Sequence, residues 1–251
     1  MTSVYVYGVA PAAEKVDVEA PGVEQSKQGV RRVVHAELAA LVSDVEAGPL
    51  VAAKGLRAHW RVLEDAVAKA TVLPVRFGTV MESDEAVVDQ FLAPRHDRLV
   101  ALLAELSGKV QLSVKAFYDE ERLMRGVVDD SPAVAQLRER VRQRPKAATY
   151  YERIRLGELV AGEVEQARER DSALVMERLE PLAVAARREP PGTPDAAVNA
   201  AFLVERARVD KFSDAVARLS DEVKDRMRLR YIGPLPPYSF TEEQEAVGAW
   251  V

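Results

Sequence analysis

The sequence predicts an α+β fold in two domains, residues 1–107 and 108–251. Three observations predict it. The chain has 251 residues, enough for two ordinary cores. Short β-branched and aromatic runs alternate with stretches whose apolar residues recur at helical spacing. After residue 108 these segments follow the order strand, long helical section, strand, strand, helix, strand.

Val4 to Val9 (VYVYGV) is β-branched and aromatic, and reads as a strand apolar on both faces. Ala10 to Gly29 carries Pro11, Pro21 and Gly22, the composition of a loop or edge. Val30 to His35 and Leu38 to Val45 read as two further strands, with a helical alternative over Glu37 to Leu41. Gly48-Pro49 breaks the pattern. Leu56, Trp60, Leu63, Val67 and Ala70 then recur at steps of four and three, one stripe of a helix. Leu73 to Val80 (LPVRFGTV) reads as a strand, with Pro74 at an edge or first position. Ser83 suits an N-cap, and Asp84 and Glu85 sit favourably at the positive end of the helix that follows. That helix carries Val88, Phe91 and Leu92, and Pro94 kinks or restarts it. Leu99, Leu102, Leu103 and Leu106 complete its apolar face before Gly108.

In Lys109 to Phe117, Val110, Leu112, Val114 and Ala116 alternate with polar residues, so one strand face meets a core. Asp119 to Lys146 reads as two helices divided near Asp130-Ser131-Pro132, with Pro132 in the first turn of the second. A long helix follows from about Thr149 to the mid-170s, with Leu156, Leu159, Val160, Val164 and Ala167 on its buried side. Leu182 to Arg187 reads as a short strand, Glu189 to Pro194 as a turn, and Ala196 to Glu205 as a central strand. Asp210 suits the cap of a helix bearing Phe212, Val216, Leu219 and Val223. Met227, Leu229 and Tyr231 share one face of a last strand. The order is ferredoxin-like, βαββαβ, with helices inserted after the first strand. Gly233 to Phe240 (GPLPPYSF) closes the chain as a proline-rich strap. It either packs back on its own protein or presents Leu235, Tyr238 and Phe240 to a partner.

Composition excludes several function classes. With no cysteine there are no disulfides, thiolate metal sites or cysteine nucleophiles. A net charge of −5 argues against a nucleic-acid module, although Arg138 to Lys146 (RERVRQRPK) is arginine-dense. No run is long and apolar enough to span a membrane, and the N-terminus lacks a signal-peptide pattern, so a cytoplasmic location is expected. No glycine-rich phosphate cradle and no G-x-S-x-G elbow occurs. Of the three histidines, none forms part of a metal-binding spacing. His59 reads as a partly buried histidine hydrogen-bonded between domains. An enzyme or ligand binder on this scaffold would draw on His59, Glu64 and Arg76. The pairs Glu120-Glu121, Asp129-Asp130 and Glu242-Glu243 read as solvated turns and caps. Arg76, interrupting an apolar strand before Phe77, is either a snorkelling surface residue or a charge anchor at an interface.

In combination, VYVYGV, HW-x-x-LE, LPVRFGTV, KVQLSVKAFYDEE, RIRLGE, NAAFLVE and RYIGPLPPYSF resemble the gas vesicle protein F/L family, in order and across the whole chain. The resemblance implies a non-enzymatic accessory or minor structural protein of gas vesicle assembly, located at the gas vesicle, with two domains and a ferredoxin-like element. It implies contact with the main shell protein, GvpA, and with other accessory gas vesicle proteins, and a role in preventing shell-subunit aggregation during nucleation. It implies no cofactor, metal or catalytic residue. Arg76, Phe77, Tyr231, Leu235, Tyr238 and Phe240 are the residues expected to bind partners.

Overall fold

The computed structural model describes residues 2–23, 29–46 and 52–241. The Gly48-Pro49 break and the Glu242-Glu243 pair lie outside these described residues. The chain forms two compact units that interleave along the sequence, where the sequence suggests a single cut after residue 107. One takes Met1–Leu112, Leu203–Ala207 and Ile232–Val251; the other takes Ser113–Phe202 and Arg208–Tyr231.

In the first unit, strand β1 (Thr2–Pro11) is followed by the hairpin of β2 (Arg31–His35) and β3 (Leu38–Glu46). The region from Glu37 to Leu41 therefore turns and continues as strand. Helix α1 (Ala52–Lys69) leads to β4 (Leu73–Pro74) and β5 (Val80–Met81). The sheet order is β2-β3-β1-β4, with β5 also pairing β1. A register shift between Val6 and Gly8 lets β1 bend across β3. Gly8 is required there, because a Cβ would stand 2.8 Å from both the Leu73 carbonyl oxygen and Val72 Cγ1. The apolar stripe of α1 lies one step round from the expected one: His59, Val62, Leu63, Ala66, Val67 and Ala70 are buried, whereas Leu56 is exposed.

Leu73 to Val80 is not one strand. It pairs with β1 only at its ends, and residues 75–79 make an excursion between them. Helix α2 (Asp84–Ala86) then starts as expected, with Ser83 Oγ accepting the Ala86 N–H at 3.2 Å. It widens to a π-helical segment (Val87–Leu92), tightens to a 3₁₀ turn (Ala93–Arg95) and restarts as α3 (His96–Leu106). Pro94 is the cause: it has no N–H to offer the Gln90 carbonyl, which instead accepts from Arg95 Nη1 at 2.8 Å. Leu99, Leu102, Leu103 and Leu106 of α3 join Phe91 and Leu92 against Val4, Val6 and Val9 of β1. Each buried leucine stabilises the unit by about 2 kcal/mol.

Strand β6 (Lys109–Tyr118) leads to α4 (Glu120–Asp130), capped by Asp119, and α5 (Pro132–Arg142), with Pro132 in its first turn. Gln111 and Ser113 of β6 are buried along with the apolar set, so both faces of this strand are covered there. Helix α6 (Tyr150–Leu179) buries Asp171, Val175, Met176 and Leu179 near its C-terminus. The expected buried residues Leu156, Leu159, Val160, Val164 and Ala167 are only half-buried. After a 3₁₀ turn at Glu180–Leu182 comes β7 (Ala185–Arg188), later than predicted because Pro181 completes that turn. Then follow β8 (Ala196–Glu205), α7 (Val209–Val223), β9 (Met227–Leu235) and the single-turn α8 (Tyr238–Thr241). The second sheet runs β7-β8-β6-β9. Arg208, not Asp210, takes the cap position of α7, and Asp210 lies in the first turn near the positive helix end. The C-terminal segment is less of a strap than its prolines suggest: Gly233 to Leu235 finish β9, and α8 begins directly after Pro236-Pro237.

Candidate functional site

The excursion of residues 75–79 is ordered by its own hydrogen bonds. Val75 N–H donates to the Tyr7 carbonyl at 2.8 Å, and the Thr79 carbonyl accepts the Val6 N–H at 3.0 Å. Gly78 adopts φ 92, a conformation open to glycine, and its N–H donates to the Tyr5 hydroxyl at 3.0 Å. Thr79 Oγ1 donates back to the Arg76 carbonyl at 2.9 Å. Arg76 is thereby held exposed at the loop, with Phe77 half-buried beside it.

Tyr5 and Tyr7 share the face of β1 that meets α1, since strand side chains alternate. Both are fully buried, and their hydroxyls are satisfied. Tyr7 Oη accepts the Val23 N–H at 2.7 Å and pairs with Ser43 Oγ at 2.8 Å. Tyr5 Oη is 3.0 Å from His59 Nδ1. The other ring nitrogen, Nε2, lies 3.1 Å from Tyr238 Oη. Desolvation holds the His59 pKa down to about 4, so the ring is neutral at physiological pH. Burial also raises the Tyr5 and Tyr238 hydroxyls above the ordinary tyrosine range.

Around this histidine the aromatic rings close in. Phe77 lies 5.7 Å from His59 centroid to centroid, edge-on, and Tyr238 lies 5.2 Å from Trp60. Trp60 and Leu56 sit one turn apart on the outer side of α1, half-buried and exposed respectively. The segment bearing Tyr238 is fastened further by Ser239 N–H donating to Gln111 Oε1 at 2.9 Å. Phe240 packs on the core of the first unit. The result is a buried base of His59, Tyr5 and Tyr7 beside a rim of Trp60, Phe77 and Tyr238, flanked by the exposed Leu56 on α1 and Arg76 in the loop.

Of the residues singled out from sequence, Phe77 and Tyr238 lie around His59, and Arg76 is exposed in the loop next to Phe77. Leu235 and Phe240 belong to the same unit but not to the rim. Tyr231 belongs to the other unit, where its hydroxyl is 3.0 Å from Ser213 Oγ. His59 does not bridge domains, because both of its hydroxyl partners lie in its own unit. The catalytic trio considered from sequence does not assemble: Glu64 and Arg76 are exposed, while His59 is sealed among tyrosines. Among the described residues no group of three or more His, Asp and Glu is placed to hold a metal ion, and no helix is long and apolar enough to cross a membrane.

Sequence reasoning missed a second cluster, in the other unit. The Tyr118 hydroxyl donates to Asp171 Oδ2 at 2.7 Å, and Arg226 Nη2 lies 2.8 Å from Asp171 Oδ1. Asp171 is buried in the middle of a polar helix stretch, and only its spacing from Val175 hinted at this. Burial, followed by the bond to Asp171, raises the Tyr118 hydroxyl pKa above its usual range. The three residues border a cavity of about 310 Å³ that Arg122, Gly126 and Ala167 also line.

Residues 3–242 match the family model for gas vesicle synthesis protein GvpL/GvpF. The chain belongs to that family. Gas vesicle protein F of Streptomyces sp. strain CB03234 is 37% identical over 243 residues, covering 96% of this chain and 100% of the relative. Gas vesicle protein L of the same strain is 29% identical, covering 94% and 91%. The crystal structure of GvpF from Anabaena sp. PCC7120 superposes with a TM-score of 0.81 at 29% identity, covering 96% of this chain and 98% of that one. That GvpF structure shares the mixed α and β architecture described above, and the family places the chain in gas vesicle formation.

Proposed function

We propose that this GvpL/GvpF family member is a non-enzymatic accessory protein at the gas vesicle, acting from the cytoplasm by binding the main shell protein, GvpA, together with other accessory gas vesicle proteins. The observation that carries this reading is the rim of Trp60, Phe77 and Tyr238, flanked by the exposed Leu56 and Arg76, beside the buried His59 base. A shell subunit that will line gas presents an apolar face, which aggregates in water unless covered. Aromatic side chains fixed in advance cover such a face at low entropic cost, and Arg76 supplies a charged anchor at the edge. Binding ends when subunits pack against each other, so the cover is transient.

We read the second sheet as ferredoxin-like with α4 and α5 inserted before α6. Support comes from its strand order and from the packing of α6 with α7. The fold by itself selects no function, so the reading rests on the rim.

The test is co-purification of soluble shell protein with the wild-type chain and with Phe77→Ala and Arg76→Glu variants. Arg76 is exposed, so Arg76→Glu keeps the wild-type melting curve, whereas Phe77 is half-buried against His59 and Phe77→Ala is compared at a temperature where its melting curve shows it folded. Capture falls at least about tenfold, the scale of losing one interface anchor. Equal capture by wild type and both variants would remove the rim from this role.

A further inference from the structure

We infer that the second unit carries a separate docking groove, formed by α4, α5 and α6, for an acidic amphipathic helix of a partner protein. The inference stands independently of the rim in the first unit.

A groove of about 570 Å³ is floored by Met124, Val128, Val134, Leu156 and Val160. Its origin is local. Helix α6 carries Leu156 and Val160 one turn apart, and along this stretch both remain half-buried because α4 and α5 do not close over them. Met124 and Val128 of α4, one turn apart, are half-buried in the same way. Apolar side chains left half-covered along facing helices form the groove that receives a third helix by its apolar stripe.

Charge selects the occupant. Arg125 and Arg138 line the groove, and neither makes an ion pair among the described residues; Glu121 is the carboxylate among the lining groups. From Arg138 the chain continues with Arg140, Arg142, Arg144, Lys146, Arg153 and Arg155, against only Glu139 and Glu152. Those two acids are taken up locally, Glu139 by Arg142 at 3.0 Å and Glu152 by Arg144 at 2.9 Å. The remaining surplus is positive in a chain whose net charge is −5. Next to it Tyr150 and Tyr151 are 60% and 82% exposed, and Ile154 is 46% exposed, apolar surface unusual at the start of a helix. An occupant with a leucine-like stripe flanked by carboxylates satisfies floor and border together. A nucleic acid would satisfy only the border: its phosphates leave the apolar floor wet, and the acidic remainder of the chain repels it.

The probe is a labelled amphipathic peptide with a leucine stripe flanked by glutamates, and its counterpart flanked by lysines, titrated against the full chain by fluorescence anisotropy. The glutamate peptide binds, more weakly at high salt, and the lysine peptide binds at least about tenfold more weakly. The double variant Arg125→Glu/Arg138→Glu reverses that preference, a swap that loss of structure cannot produce. Leu156→Gln weakens both peptides while the melting curve stays cooperative. The inference is overturned if the wild-type chain fails to bind the glutamate peptide, if the double variant keeps the wild-type preference, or if a labelled oligonucleotide binds this surface more tightly than the peptide does.

Discussion

His59 Nε2 and the Tyr238 hydroxyl lie 3.1 Å apart and tie α1 to the last described helix across 179 positions of sequence. The bond places an aromatic ring, carried by the C-terminal segment, directly beside Trp60. Its companion bond to Tyr5 ties the same imidazole to β1 and, through Gly78, to the Arg76-Phe77 loop. One neutral histidine thus organises three segments that are remote in sequence.

Replacing Tyr238 by Phe keeps the ring against Trp60 and deletes only the hydroxyl. The buried His59 Nε2 loses that partner, which costs about 1–2 kcal/mol. Urea denaturation of the variant should show the lower midpoint with an unchanged slope. Tyr5→Phe should cost a similar amount, and the double variant less than the sum, because the two bonds share one ring.

Acid should weaken the first unit through His59. Its folded pKa is depressed to about 4 from an ordinary 6.5, so between these values the unfolded chain binds a proton that the folded one refuses. Stability therefore falls as pH drops from 6.5 towards 4, by up to about 3 kcal/mol. His96 acts in the opposite sense. Its pKa is raised by Asp97 and Glu37, so its contribution is present below 6.5 and is lost as pH rises through its folded value. Thermal unfolding across this range, with His59→Phe as the control, separates the two: the variant should lose the acid slope.

Two glycines should respond oppositely to alanine. Gly8→Ala drives a Cβ to 2.8 Å from the Leu73 carbonyl and should destabilise by about 2–3 kcal/mol. Gly126, within α4, meets nothing within 4 Å, and Gly126→Ala should stabilise by about 0.5–1 kcal/mol through helix propensity. Calorimetry of both variants would expose an error in either sign.

In the second unit, Asp171→Ala strands the buried Tyr118 hydroxyl and removes the partner of Arg226. The loss should be about 2–3 kcal/mol. Arg226→Ala should cost a comparable amount although Arg226 itself is 50% exposed, because it leaves the buried Asp171 carboxylate without its counter-charge. Chemical denaturation of the two variants gives the comparison.

Much of this molecule was legible in its residues. The existence of strands β6 and β8, the Ser83 cap, the Pro94 interruption and the leucine face of α3 all follow from local rules, because each depends on neighbours within a turn or two. Arg76, Phe77 and Tyr238 stood out by composition. What failed did so for non-local reasons. LPVRFGTV looks like a strand until the Tyr5 hydroxyl claims the Gly78 N–H and β1 pairs only with its ends. Leu63, Val67 and Ala70 of the α1 stripe are buried as read, but Leu56 and Trp60 turn outward because His59, a polar residue, is drawn inward by two tyrosines. The C-terminal prolines suggested an extended strap, yet Gln111 and His59 hold a helical turn in place.

The residues alone determined the alternation of strands and helices, the lack of thiol chemistry, and the membership of the GvpL/GvpF family, since periodicity, composition and motif order are written along the chain. Only the tertiary structure decided which polar groups are buried together, Tyr5 with His59 and Tyr238, and Tyr118 with Asp171 and Arg226. A buried hydrogen bond depends on two groups arriving at one place with water excluded, and their separation in sequence carries no trace of that meeting.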